Sequence, residues 1–450
     1  GLTKGAGGNA ISVTLGNTFI KPATGFNPYD AGTIPAWESA IVWNTLSPRA
    51  GVSVDILGNG RTFLRSSFAR YSQYLDLGTI QRLAPVLPTG FHRFAWFDEN
   101  ANSAVDATDS FDLYPDEYGL FKTTDSHMRI GSGTKAPRTD EWTFGLQHEV
   151  LNNLSVSLTY IAKAQKNIIE TVLFDPAAGV EWSSPGAGEG AYWLPFNTVV
   201  PGTMGYDETP VTVYFRSNTA PAVFEQLRNV PQLERRYKGL EFTVRKRMSD
   251  NWQFYGSVVW GRAKGNVGLS SVNSTGYTPA AGTPNYYVNV PADSRLDLDR
   301  PASVRLLGTY RFPHDYYLTL YYTGRSGYPW ARSVTIAPPE AWAQANGAVG
   351  TPVTVLLETP GTRRTRFDGA LDTRFEKDLV LKSRKRITLM IDILNVLGHR
   401  SGILDLNDGG AWYPVAEGSA EGQRVLSPTF EKYISLLGQR KFQFSLNVQF

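Results

Sequence analysis

The feature that most constrains this chain is alternation. Lys441 to Phe450 reads KFQFSLNVQF, with Phe442, Phe444, Leu446, Val448 and Phe450 apolar and Gln443, Ser445, Asn447 and Gln449 between them. Successive side chains of a strand point to opposite faces, so strict period two means a strand whose faces meet different surroundings. A single strand of this kind also suits a soluble antiparallel sheet. The rest of the chain decides between the two.

The pattern recurs in pairs joined by short turns: 48–56 with 62–71 across LGNG, 140–150 with 155–164 across LNNL, and 237–248 with 252–263 across SDN. Two more pairs follow, 301–312 with 316–325 across PHD and 367–381 with 386–397 across KSRK, before the closing strand. Asn, Asp, Gly and Pro at the joins are the residues tight turns require. Between pairs the joins are long, at 73–138, 165–235, 264–300, 326–366 and 398–438. Compact soluble domains rarely tolerate structureless loops beyond about 12–15 residues. Tight turns at one end and long loops at the other instead match a membrane barrel, with short periplasmic turns and long extracellular loops.

Composition agrees. Lys plus Arg total 44 against 41 Asp plus Glu, a formal charge of +3, so nothing asks for nucleic acid. Cysteine is absent, which removes disulfides and thiolate metal sites. Aromatics are 12%, rich for a soluble domain. No apolar run of about 18 residues exists to make a transmembrane helix, but barrel strands alternate and escape that test. The start, GLTKGAGGNA, carries no basic and apolar leader, so a leader has been removed or the gene product begins earlier.

The faces fit a lipid exterior. Across 252–260 one face carries Trp252, Phe254, Gly256, Val258 and Trp260 and the other Gln253, Tyr255, Ser257 and Val259. The two tryptophans bracket roughly 20 Å of height at the usual rise and tilt, close to the apolar band of a membrane barrel with its aromatic girdles. Lys246 falls on the apolar face but near a turn, where a lysine can reach the interface. The expected fold is an all-β transmembrane antiparallel barrel with 11–12 strands in this chain. Eleven strands cannot close a bacterial barrel, which has an even number. Either 10–19 (AISVTLGNTF) supplies a twelfth or further strands precede Gly1, because a strand edge cannot dangle in lipid.

From about residue 43 onward the segments resemble the C-terminal part of TonB-dependent outer-membrane receptors, in particular the Oar-like branch. WNTLSPRAGVSVDILGNGRTFLRSSFARY (43–71), YKGLEFTVRKRMSDNWQFYGSVVW (237–260), DRPASVRLLGTYRFP (299–313), GRSGYPWAR (324–332) and LDTRFEKDLVLKSRKRITLMIDILNVLGHR (371–400) match that branch in order. The resemblance implies that 47–450 is the C-terminal part of a 22-stranded barrel and 1–46 an extracellular loop or incoming strand. It also implies a plug and remaining strands outside this chain, engagement of the TonB–ExbB–ExbD complex through those parts, and a terminal aromatic, Phe450, read by the barrel-assembly machinery. The location implied is the outer membrane of a Gram-negative envelope, with a periplasmic C-terminus and extracellular loops.

No catalytic constellation is present. Of the histidines, His148 falls on the outward face of a strand near a turn, His314 inside a turn, and His92, His127 and His399 in or beside loops, and no nucleophile elbow, zinc helix or phosphate loop occurs. An enzyme is not expected. One stretch, DENANSAVDATD, sets Asp98, Asn100, Asn102, Asp106 and Asp109 at positions 1, 3, 5, 9 and 12 of an EF-hand-like loop, the oxygen spacing of a Ca²⁺ site. Ser103 stands where such a loop needs glycine, and a solvated acidic loop is the plainer reading. No other cofactor is indicated. The loop aromatics Trp182, Tyr192, Trp193, Trp330 and Trp412 form a candidate ligand platform, or else pack the loops against one another. The function expected is import of a ligand through the barrel. The alternatives are a closed 12-stranded passive channel, or a structural or adhesive protein holding a partner through its loops. The ligand itself is not legible.

Overall fold

The computed structural model describes residues 2–4, 10–13, 32–33, 41–75, 92–97, 99, 110–118, 128–175, 180–181, 192–202, 206–220, 224–267, 285, 291, 293–296, 298–380, 385–398, 401–404, 411–415, 418–426, 428 and 432–449. The chain divides into a larger unit, 45–73 with 135–222 and 228–450, and a smaller one, 1–44 with 74–134 and 223–227.

The larger unit is built on an eleven-stranded antiparallel sheet. Its strands are β1 (Arg49–Asp55), β2 (Thr62–Ser72), β3 (Arg138–Leu151), β4 (Leu154–Lys166), β5 (Arg235–Ser249) and β6 (Trp252–Gly265). They continue as β7 (Ala302–Phe312), β8 (Tyr316–Arg325), β9 (Asp368–Val380), β10 (Arg386–Leu394) and β11 (Lys441–Gln449). Each strand pairs only with its neighbours in chain order, so the sheet is one continuous meander with β1 and β11 at its edges. All five hairpins expected from the alternation are present, and the closing strand pairs with β10 from Arg386↔Gln449 to Leu394↔Lys441.

The turns are tight because their residues tolerate positive φ. Asp250 and Asn251 lie at φ 52 and 68 between Ser249 and Trp252, which matches the right-handed twist of β5 and β6. In the β1–β2 turn, Gly58 and Gly60 take φ 64 and 72, and Asp55 accepts hydrogen bonds from the backbone N–H of Leu57 and Gly60. At 313–315 a single 3-10 turn joins β7 to β8, with Arg311 bonded to Asp315 at 2.6 Å. That hydrogen bond holds the Asp315 carboxyl below the usual carboxylate range.

Pairing fixes which side chains share a face. Leu64, Phe144, Leu146, Leu158, Phe242, Val258, Leu320, Phe375, Leu389, Ile391, Phe444 and Leu446 all lie on one face and are exposed. Eleven strands at the usual spacing make that face about 50 Å wide, and with a band about 20 Å tall it covers roughly 1,000 Å². A soluble monomer rarely exposes a contiguous apolar patch of more than a few hundred Å². Aromatic rings edge the band at both ends. Trp252, Tyr310, Phe312 and Tyr316 stand at the turn end, and Phe68, Trp142, Tyr160 and Trp260 toward the long joins. Lys246 reaches the turn as expected: its ammonium donates to Ser249 Oγ at 2.6 Å and Ser249 O at 2.9 Å, and lies 4.2 Å from the Trp252 ring centre.

Of the segment 10–19, Ala10–Val13 does not pair with this sheet, and 14–19 lie outside the described residues. Ala10–Val13 belongs to the smaller unit, in a three-stranded sheet with Leu2–Lys4 and Gly32–Thr33. Four alternating residues specify an extended segment but not its partner. The smaller unit also contains a hairpin, His92–Phe97 with Ser110–Tyr118, and a hydrogen bond from Trp43 Nε1 to Thr134 O at 2.8 Å.

The long joins of the larger unit are far from structureless. Hairpin Trp193–Val200 with Thr209–Arg216, hairpin Ser333–Ile336 with Val353–Leu356, and hairpin Ala411–Pro414 with Gly422–Val425 come from three different joins. They bury one core of Phe196, Val200, Val213, Phe215, Val334, Ile336, Val355 and Trp412. Helix α1 (Glu340–Asn346) closes it, with Trp342 packed edge-on to Phe196 at 4.9 Å. A second core, Ile168, Val172, Val230, Leu233, Val267, Ala331 and Leu356, draws in a fourth join.

Candidate functional site

Two surfaces bear on function: the polar face of the sheet and the loop module above its long-join end. The polar face is a ladder of charge pairs and hydroxyls held across adjacent strands. Arg374 on β9 bonds Asp392 on β10 through two N–H groups, at 2.6 and 3.0 Å. Asp378 accepts from Thr388 at 2.6 Å, Lys163 meets Glu141 at 2.6 Å, and Ser257 donates to Glu241 at 3.2 Å. Ser67 with Thr143, and Thr309 with Thr319, continue the series at 2.5 and 3.0 Å. A face so furnished can be wetted, whereas its reverse cannot, and a closed barrel of these strands has a polar lumen.

Between the polar groups, Gly239 on β5 and Gly261 on β6 pair directly, and the Tyr237 ring lies over both. A Cβ at Gly239 would sit 2.2 Å from the Tyr237 hydroxyl, so glycine here is what lets the ring lie flat on the wall.

The loop module carries the densest chemistry. The guanidinium groups of Arg332 and Arg363 each lie over the Tyr206 ring, 4.3 Å from its centre. Glu358 links the two arginines by accepting from Arg363 Nε at 2.7 Å and from the Arg332 backbone N–H at 3.0 Å. Arg424 is half-buried nearby, and burial with the adjacent Arg332 charge lowers its pKa. Lower down, buried Asp299 accepts from Arg364 at 2.5 Å and from Ala263 N–H at 2.6 Å, locking the join into β7 to the join into β9. Asn285 binds both N–H and C=O of Tyr214 at 2.8 Å, as a strand residue would.

Of the aromatics expected to form a ligand platform, Trp412 is 0% exposed at the centre of the loop core, its Nε1 donating to Thr198 Oγ1 at 3.0 Å. Trp330 is buried beside Arg363, whose guanidinium is 5.6 Å from its ring. Both pack inside the loops, the second of the two arrangements open to these aromatics. Tyr192 and Trp193 are half-buried at the start of the first loop hairpin, and Ser217 N–H donates to Tyr192 O at 2.8 Å. Trp182, Phe450 and the acidic series Asp98, Asn100, Asn102, Asp106 and Asp109 lie outside the described residues. Sequence reasoning missed the Arg332–Tyr206–Arg363 cluster, whose members are separated by long stretches of chain and carry no local pattern.

Several solved structures align with most of this chain. The outer membrane transporter YddB from Escherichia coli aligns with 88% of this chain at 12% identity and a TM-score of 0.46. The siderophore receptor PirA from Acinetobacter baumannii aligns with 89% at 10% identity and a TM-score of 0.41. The FrpB iron transporter from Neisseria meningitidis aligns with 89% at 8% identity and a TM-score of 0.39. The chain spans only 39%, 40% and 39% of these three proteins respectively. No curated protein sequence matches it. The model of the outer membrane beta barrel domain matches residues 22–319, well over half of the chain, and the chain belongs to that family.

Proposed function

We propose that this chain is the C-terminal wall and loop lid of a TonB-dependent receptor that imports a ligand across the outer membrane. The observation that carries the reading is the pairing of a two-faced sheet, apolar on one side and charge-laddered on the other, with a packed loop module at one end only. In this reading the loops are extracellular, the tight turns and the C-terminus periplasmic, and ligand meets the loop module around Tyr206. The remaining barrel strands, supplied with a plug from outside this chain, pair with the edges of β1 and β11, because an open sheet edge cannot persist in lipid. TonB–ExbB–ExbD acts on that plug, and the barrel-assembly machinery reads Phe450. The residues here position and enclose; none makes or breaks a bond. The series from Asp98 to Asp109 is a Ca²⁺ site in the same proposal, ordering an outer loop.

The test is the intact mass of the denatured polypeptide extracted from outer membranes. A mass of roughly twice 49.7 kDa or more supports a plug and further strands on the same chain. A mass near 49.7 kDa overturns it and leaves a barrel assembled from partner chains. Steady conductance of the purified protein in a planar bilayer without TonB would instead favour a passive channel.

A further inference from the structure

On the apolar face, the rim beyond Trp260 turns abruptly basic. Lys238 on β5 stands directly across from Arg262 on β6, and Arg236 directly across from Lys264. These four continue the even-numbered series of Leu240, Phe242, Val258 and Trp260, so they share the lipid-side face rather than the polar one. They line a surface recess of about 590 Å³ whose floor is Tyr160, Leu240 and Trp260. The flanking positions on β4 are Ala162 and Ala164, too short to fill it.

Two like-charged pairs set directly opposite, one above the other, are unfavourable in a bare sheet, since opposed side chains lie only about 5 Å apart. Among the described residues, Arg236 has Glu234 at 2.7 Å, and no carboxylate partners Lys238, Arg262 or Lys264. The nearest acid on the neighbouring rim, Asp140, is already engaged by Arg70 at 2.6 Å, with Lys166 at 3.8 Å and Arg138 at 4.0 Å, which adds further positive charge. Three of the four cations of the recess therefore lack a carboxylate among the described residues. Its height is informative: two residues beyond the aromatic girdle is about 5 Å, the depth at which lipid headgroups begin.

We propose that this recess binds the phosphate groups of an anionic glycolipid of the outer leaflet, its sugar or first acyl methylenes resting on Trp260 and Leu240. The inference rests on the outer-membrane orientation proposed above. Arg262 supplies a planar fork and Lys238 a compact charge for one phosphate, while Arg236 and Lys264 receive a second. A free phosphate would use the cations but not the apolar floor, and a zwitterionic phospholipid would bring one phosphate whose charge its own ammonium offsets. The site therefore commits to a lipid that brings net anionic phosphate and apolar surface together.

The full-length protein, purified in mild detergent, is tested by native mass spectrometry with added bis-phosphorylated lipid A. The expected result is a retained lipid adduct that Lys238→Gln/Arg262→Gln weakens at least tenfold and Trp260→Ala weakens further. Dephosphorylated lipid A and inorganic phosphate should each bind at least tenfold more weakly. In lipid-free detergent the Lys238→Gln/Arg262→Gln variant should melt no lower than the parent, since repulsion is relieved. If it does not fold, Lys238→Arg/Arg262→Lys provides a charge-conserving variant that must keep the adduct. Undiminished adduct in the neutral variant, or equal binding of inorganic phosphate, overturns the proposal. Failure of the parent to show heat-modifiable mobility would instead sink the membrane orientation beneath it.

Discussion

Trp412 offers the sharpest test of how the loops are held. It has no exposed surface, sits among residues from three separate joins, and bonds Thr198 across 214 positions of chain. Truncating a buried tryptophan costs about 3–5 kcal/mol in lost burial and cavity formation. The loss should fall on the loop module and not on the sheet, because the two are stabilised by different contacts. At about 1.4 kcal/mol per tenfold, Trp412→Ala should speed amide exchange in 193–216, 333–336 and 353–356 by on the order of 10²- to 10³-fold. Amides at the centres of β5 and β6 should be unchanged. Trp412→Phe keeps most of the ring and drops only the N–H, and a double-mutant cycle with Thr198→Val should return a coupling of about 1 kcal/mol. Hydrogen exchange read by mass spectrometry on the full-length protein decides it. Acceleration below tenfold in the loops, or equal acceleration in the wall, would refute the assignment of Trp412 to an independent loop core.

Other expectations follow from single contacts. Lys246→Ala removes charged hydrogen bonds at the β5–β6 turn and the contact with Trp252, and should lower barrel stability by about 1–3 kcal/mol in denaturant titrations. Gly239→Val drives a side chain into Tyr237 and should cost about 1–3 kcal/mol, with Tyr237→Ala suppressing much of that added loss. The lowered Asp315 carboxyl contributes at pH values above its unfolded value of about 3.8, and its contribution is lost as pH falls through the lower folded value. Protection factors at 311–316, which divide out the intrinsic pH dependence of amide exchange, should therefore match at pH 5 and 7 and fall only in stronger acid. Millimolar EDTA should lower the calorimetric melting of the smaller unit if Asp98–Asp109 holds Ca²⁺, and an unchanged trace would remove that site.

Much of the wall was legible because its information is local. Period two set the faces, and residues such as Asp250 and Asn251 marked a turn that only positive φ allows, so register followed from chain order. Lys246 was legible for the same reason, being two residues from a turn. The loop core was not, since Phe196, Val334 and Trp412 meet only after three hairpins fold, and nothing within any one of them names the others. Ala10–Val13 shows the same limit in small: its alternation does not say that it pairs with Leu2–Lys4 and Gly32–Thr33. The cation recess lies between. Arg236 and Lys238 already extend the apolar parity of β5, but only the β5–β6 register sets them opposite Lys264 and Arg262.

The uninterrupted meander has an evolutionary corollary. Because every wall strand touches only its chain neighbours, a duplicated or deleted hairpin leaves the register of all others intact and changes the circumference by two strands. Parity survives such an event, so no side chain is flipped from lipid to water. A barrel built this way can change calibre through gene rearrangement without first losing its fold. The constraint on such change falls on the loop module, whose core is shared among three joins and would have to be rebuilt whenever one of them moved.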